Sequence, residues 1–366
     1  MAKRHRSSDD ESDRGSSRWR CPAQRHLCVV LDDWSKGYSI YKLDVDGFDG
    51  DPDDADLDLN ADRLPGPPAF RLEVPEDERG RFARFAAAGS RILALQYSEE
   101  DRDAPVLVYD LATGGLAVGP VTPVDLQNRP KLVAAGDMVY AVDWRGGRRD
   151  HHSFTFEALA PHGRRGWVWS SLPAAPFDLA AMAACHAAHP DGRTVFFSAH
   201  GKGTFSFDAE AEEWAWRGDW MLPFRGQAYY DAELDAWVGL RCGGVAEGLV
   251  CSCQVFAVAR GAGRQQEPEW KAAQVIETDD ERSMAVELAH VGDGKFCLVE
   301  CRQRRDRNLL HGDGDDGRWL LFATTFGLRY DKDGALRPTA RRARCYAVHK
   351  KSNTFQWRAF GMKLTD

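Results

Sequence analysis

Thiols, imidazoles and carboxylates are the groups in this chain that would hold a metal or move a proton. Cys251-Ser252-Cys253 and Cys297…Cys301 place thiolates at spacings short enough to ligate zinc. Both pairs fall inside alternating apolar runs, LVCSCQVFAV and FCLVEC, where such spacings put the side chains on one face of a strand. Small buried thiols are the expectation there, and no CxxC pair occurs in the chain. His151-His152, His186, His189 and His200 cluster in sequence. Metal or acid–base work by them would need a carboxylate converging on a dry pocket. The run Asp44–Asp62 is rich in aspartate but lacks the DxDxDG spacing and terminal Glu of a calcium loop, so a flexible, solvated excursion is expected. These residues point to no catalytic residue, no metal and no cofactor.

Groups suited to binding are better represented. Arg145, Arg148, Arg149, Arg304 and Arg305 lie in polar stretches between strand patterns, and cations gathered on one loop face attract an acidic partner. Arg164, Arg165, Arg341, Arg342 and Arg344 fall in similar stretches or near strand ends. Trp34, Trp144 and Trp220 adjoin turn residues and are expected to reach an interaction surface. Trp169, Trp216, Trp237, Trp270 and Trp357 recur at equivalent strand positions, where aromatic rings would fill the space between packed sheets. Near the start, Lys3, Arg4 and Arg6 form a short basic cluster of the kind read as a nuclear import signal.

The elements that must carry these residues are short strands. VLVYDLATGGLAVGPVTP from Val106, TFSFDAEAEEWAWRGDWMLPF from Thr204, QVFAVARG from Gln254 and RCYAVHKKSNTFQWRAF from Arg344 read as strand, polar turn, strand. A second echo runs in phase with the first: AAAGSRILAL, VAAGDMVYAV, HAAHPDGRTVFF, YYDAELDAWVGL and ELAHVGDGKFCLV. Gly, Asp and Asn at the turns tolerate the positive φ that tight hairpins need. The third strands begin near Val106, Ser153, Thr204 and Gln254, a period of roughly 50 residues that fits four-stranded propeller blades. Only Asp178–Ala184 is helical by composition, and its context suits a loop or strand as well. The fold expected is all-β: a single propeller, six blades, closed by strands from both chain ends. The first unit, Leu27–Val74, lacks a clear first strand, which fits such closure. Residues 1–24 are expected to be a disordered polar tail and 25–362 the propeller, with insertions near 44–66 and 302–318.

Through Val106–Pro120 and Thr204–Phe224 the chain resembles the kelch and galactose-oxidase type of β-propeller. The double glycine of a kelch second strand is missing from most units; Gly114-Gly115 lies in a later turn and Gly243-Gly244 is offset. HLCVVLDDWSKGYSIYKLDVDGFD is also similar to a plant family, expanded in grasses, described only as kelch-like or of unknown function. The resemblance implies a propeller that presents loops to a partner. Kelch relatives often carry an F-box, and the residues before His26 hold no LPxxL-type helical run, so a complete F-box is not expected. The ExxxDxxxH arrangement of iron-dependent kelch enzymes is absent.

Composition agrees with a binding module. At 43% hydrophobic and 28% charged, 366 residues can build a sizeable core, and a net charge of −8 argues against general nucleic-acid binding. No apolar run is long enough to span a membrane. Nine cysteines, an odd number, suit reduced thiols inside the cell, in cytoplasm or nucleus. The reading is a monomeric, non-enzymatic scaffold or substrate-recognition module with a protein partner. The alternatives are a ligase adaptor lacking its F-box and a metal-dependent enzyme of the kelch superfamily.

Overall fold

Val, Ile, Phe and Tyr alternating with small or polar residues favour extended backbone, and this pattern fills most of the chain. The computed structural model describes residues 23–54, 56–74, 82–97, 103–126, 130–144, 154–177, 183–242, 249–256, 258, 265–276, 283–303, 319–348 and 357–364. Its strands run in chain order. The first group is β1 (Gln24–Trp34), β2 (Gly37–Asp44), the two-residue β3 (Asp62–Arg63) and β4 (Phe70–Glu73). The second is β5 (Phe82–Ala88), β6 (Arg91–Tyr97), β7 (Pro105–Asp110) and β8 (Gly115–Val121). The third is β9 (Lys131–Ala135), β10 (Met138–Trp144), β11 (Phe154–Pro161) and β12 (Trp167–Leu172). The fourth is β13 (Ala183–Ala188), β14 (Thr194–Ala199), β15 (Gly203–Asp208) and β16 (Glu213–Gly218). The fifth is β17 (Phe224–Asp231), β18 (Ala236–Arg241), β19 (Leu249–Gln254) and β20 (Trp270–Gln274). The sixth is β21 (Ser283–Gly292), β22 (Lys295–Gln303), β23 (Trp319–Tyr330) and β24 (Leu336–Val348), followed by β25 (Trp357–Leu364).

Pairing sorts these strands into six antiparallel four-stranded units. The first unit takes its innermost strand from the far end of the chain, in the order β25-β1-β2-β4. β25 pairs with β1 from Gln24↔Leu364 to Leu31↔Trp357. The missing first strand is therefore supplied from the far end of the sequence, Leu31 meeting Trp357, as the ring-closure expectation required. The inner strands of the fourth and fifth units touch through a short parallel pairing, Cys185↔Gly226 to Ala187↔Ala228.

Six apolar interfaces show how the units sit. Tyr38 packs on Phe85 between the first and second units, and Leu93 meets Val139 between the second and third. Phe156 meets Phe197 and Phe207 between the third and fourth, and Phe196 meets Trp237 between the fourth and fifth. Val238 meets Phe296 between the fifth and sixth, and Val299 and Leu321 meet Leu27 and Trp357 between the sixth and the first. Every unit thus buries both faces against its sequence neighbours, and the last buries one against the first. That is a closed β-propeller, and closure covers the inter-unit faces with no gap in the circle.

Chain direction divides the ring into two mouths. At one, which we call the turn mouth, inner strands end in tight hairpins such as Gly89 (φ 59) and Gly136 (φ 60). Asp110, Asp208, Asp231 and Asp331 cap turns there, each taking backbone N–H groups from residues further along its own turn. At the other, the loop mouth, inner strands begin and the connections from second to third strands cross.

Three local expectations change. Asp44–Asp62 is not a free, solvated loop. It docks on the outer edge of the sixth unit, where β3 pairs with β24 and Gly50 bridges Ala343. Arg341 binds Asp53, Arg344 reaches Asp49 and Asp62, and Leu57 and Ala61 pack on Leu320 and Phe322. Second, the strand near Gln254 ends at that residue; Val255, Phe256 and Val258 instead cover the core between the fourth and fifth units. Third, Ala183 and Ala184 open β13 rather than close a helix, and 178–182 lie outside the described residues.

Candidate functional site

One cavity, of about 130 Å³, is lined by residues of four different inner strands: β5, β9, β17 and β25. It lies on the propeller axis, since only there do those strands meet. Gln227, Tyr229 and Arg358 supply its polar lining, with Gly89, Gly361 and Ala134 among the small residues. Gln227 reaches across from the fifth unit toward the carbonyl of Ala134 in the third, Nε2 to O 3.5 Å. Tyr229 donates its hydroxyl to the Leu288 carbonyl at 3.1 Å, and Arg225 donates to Val286 O at 3.3 Å.

Charge concentrates around this axis. Glu287 accepts from Arg358 Nη1 at 2.7 Å and from the Ala359 N–H at 2.7 Å, so both its oxygens are engaged. Burial raises the Glu287 carboxyl, opposed by the nearby Arg358 and Arg225. Burial lowers the Lys131 ammonium, and the Arg358 charge adds to the effect. His186 is 4% exposed, and burial together with Lys131 and Arg358 drives it down to about 3, so its ring is neutral. Three cations, Lys131, Arg225 and Arg358, thus share the axial region with one carboxylate.

Topology gathers several of the residues picked out in the sequence onto the loop mouth. Trp34 ends β1 beyond the pairing of Leu31 with Trp357, and Arg71 lies over its ring at 5.2 Å. Trp144 ends β10 two residues past Val142, the partner of Lys131. Trp220 has its backbone at this mouth, but its ring turns inward against Phe256 and its Nε1 donates to Gln265 O at 2.9 Å. Partly buried, it packs against the core between the fourth and fifth units. Arg145, Arg148, Arg149, Arg304 and Arg305 lie outside the described residues, while the strand ends flanking them, Trp144, Phe154, Gln303 and Trp319, face the loop mouth. Lys3, Arg4 and Arg6 also lie outside the described residues.

The remaining aromatic and sulfur groups divide by strand. Trp237 is fully buried and Trp357 nearly so, as packing residues should be. Trp216 and Trp270 are 39% and 42% exposed, because each sits on the outermost strand of its unit. Cys251, Cys253, Cys297 and Cys301 are buried in the inter-unit cores, and burial raises every one of these thiols. Among the described residues no group of three or more His, Cys, Asp or Glu is placed to hold a metal ion. No described helix is long and apolar enough to cross a membrane. Sequence reasoning missed Lys131, Arg225, Gln227, Glu287 and Arg358. Each stands alone within an otherwise ordinary strand pattern, and the closest signal was a charged residue near the start of an inner strand.

Successive four-stranded units whose inner strands surround a polar axis define a β-propeller. The chain belongs to the family described as protein of unknown function DUF1668, whose model matches residues 24–346. No curated protein matches it. Among solved structures it is similar to a protein of unknown function from Bacteroides thetaiotaomicron (13% identity, 86% of this chain, 64% of that chain, TM-score 0.41). It is also similar to the β-propeller domain of Cps50 (Swd1) from Myceliophteria thermophila (9% identity, 87% and 89% covered, TM-score 0.38) and to YjhT (12% identity, 78% and 99% covered, TM-score 0.37). The chain spans 64% of the length of the first of these. The propeller assignment rests on strand pairing and the six interfaces, not on these distant likenesses.

Proposed function

We propose that this chain is a non-catalytic binding module that presents its loop mouth to a protein partner. One observation carries the reading: Trp34, Trp144 and the strand ends flanking both arginine-bearing connections converge on the mouth that also holds the axial cations. A rigid ring that presents connections at its mouth is suited to recognition, because the scaffold limits the ordering cost of the loops at binding. The cations favour an acidic partner surface. The period near 50 residues and the capped turns support a kelch-type propeller.

The test compares two purified variants against the unmodified chain in affinity capture. Reversing Arg148, Arg149, Arg304 and Arg305 to Glu alters the loop mouth; reversing Arg164 and Arg165 to Glu alters the turn mouth. A partner lost only with the first set supports the reading. A partner that survives the first set and is lost with the second overturns it. A fluorescent fusion carrying Lys3→Ala, Arg4→Ala and Arg6→Ala is expected to lose nuclear enrichment if those residues direct import.

A further inference from the structure

The axial cavity has a size, a charge and a donor set that together specify a ligand. Its volume of about 130 Å³ is room for about four waters at ~30 Å³ each, the size of one small polyatomic group. Its walls are not uniformly apolar: Arg358, Gln227 and Tyr229 line it. The Tyr229 hydroxyl and the two Glu287 oxygens are already engaged with protein groups. Arg358 uses one guanidinium nitrogen on Glu287 and keeps further N–H donors, since a guanidinium carries five. The Gln227 amide spends one N–H on a long contact to Ala134.

His186 lies beside this group, paired in register with Gln227 across the two inner strands. It is 4% exposed, and Gln227 approaches its ring without either nitrogen reaching an aligned hydrogen bond. A buried ring in that condition costs free energy unless a ligand or water completes it. A cation is the wrong occupant, since the Arg358 guanidinium lines the cavity and would repel it. An apolar occupant would leave the charged and amide groups desolvated and unmatched. An oxyanion can accept from the Arg358 guanidinium and the Gln227 amide together, which neither alternative can.

We propose that the axial cavity binds one oxyanion, a carboxylate or phosphate, held by the lining residue Arg358 and oriented by the Gln227 amide, with Lys131, next to the lining residue Leu132, adding its positive charge and His186 standing beside Gln227. Insertion of a partner's side chain, though not the anion site itself, rests on the loop mouth as the binding face. The anion has two sources of one chemistry: a free small anion, or an acidic side chain that a docked partner inserts along the axis.

Acetate and inorganic phosphate are titrated into the full chain at constant ionic strength, against chloride, with the His186 ring followed by NMR on ¹⁵N-histidine-labelled protein. Saturable shifts of the His186 nitrogens are expected, with at least tenfold weaker binding in Lys131→Met. A second variant, Glu287→Gln with Arg358→Gln, removes the ion pair as a unit so that no lone charge is buried, and it is also expected to bind at least tenfold more weakly. Both variants must keep the unmodified chain's cooperative melting for the comparison to count, and Gln227→Ala serves as the milder substitute if one does not. An acetylated, amidated glutamate residue separates the sources: preference for it over acetate assigns the site to a partner's side chain, and equal or weaker binding assigns it to a free anion. No saturable response to either anion at 20 mM, or equal affinity in every variant, overturns the proposal. That failure would leave partner capture at the loop mouth intact, whereas loss of the loop-mouth reading with anion binding retained would leave a free-anion site.

Discussion

His186 shows how one residue reports on its surroundings. Its folded pKa of about 3 lies below the ordinary value of 6.5, so the unfolded chain takes up a proton that the folded chain refuses. Stability from this group is complete above about pH 6.5 and is lost as pH falls toward about 3. By pH 4.5 the loss is on the order of 2–3 kcal/mol. Urea unfolding at pH 7 and pH 4.5 should show a smaller drop for His186→Leu than for the unmodified chain by that amount; an equal drop would mean His186 titrates normally. Sulfur chemistry follows the same logic of burial. Burial raises the Cys28 and Cys301 thiols to about 12, so neither is a nucleophile near neutral pH. Cys242 is the exposed thiol among the described cysteines, and mass spectrometry after brief iodoacetamide treatment should find it modified before any of the other described ones. The strand period in the sequence announced that Cys251 and Cys297 would be buried. It carried no sign that His186 would meet Lys131 and Arg358, which belong to other units.

At the scale of elements, close approach of backbones matters most at the ring's seam. A Cβ on Gly361 would stand 2.0 Å from the His290 carbonyl oxygen and 2.9 Å from the Val291 nitrogen, with no flexible side chain to give way. Gly361→Ala should therefore push β25 off β21 and cost about 1–3 kcal/mol in urea unfolding, whereas a change within 0.5 kcal/mol would show that the seam yields. The docked acidic segment is a second seam element. Its ion pairs with Arg341 and Arg344 are partly exposed, and each contributes about 0–1 kcal/mol. Arg341→Glu with Arg344→Glu should leave the fold intact but open residues 44–69 to Asp-directed proteolysis; unchanged cleavage rates would place the anchoring in Leu57 and Ala61 instead. Composition alone marks Asp44–Asp62 as polar and mobile. Its cationic counterpart lies on β24, nearly 300 residues later, and local pattern cannot show that pairing. Trp216 and Trp270 teach the same lesson in reverse: equivalent strand positions look alike in sequence, yet the outermost strand turns its ring to solvent.

For the whole molecule, the decisive contact is β25 on β1. Trp357, Met362 and Leu364 are buried by it, worth about 4.5–9 kcal/mol at 1.5–3 kcal/mol per large side chain. That is comparable with the whole stability of an ordinary domain. A chain ending at Val348 should lose its single cooperative melting transition, and calorimetry showing one transition near the original temperature would refute closure by this strand.

The four-stranded units, their turns and the burial of their alternating residues follow from local pattern, since period-2 alternation and left-handed turn residues act over a few neighbours. Repetition carried that information along the chain. Three features arose from folding: the seam, the acidic segment's place on the sixth unit, and the axial group of Lys131, His186, Gln227, Glu287 and Arg358. Each joins residues that are distant in sequence and ordinary in their own strands. They meet because a closed ring brings every inner strand to one axis, and no local signal encodes which side chains stand at the same height there.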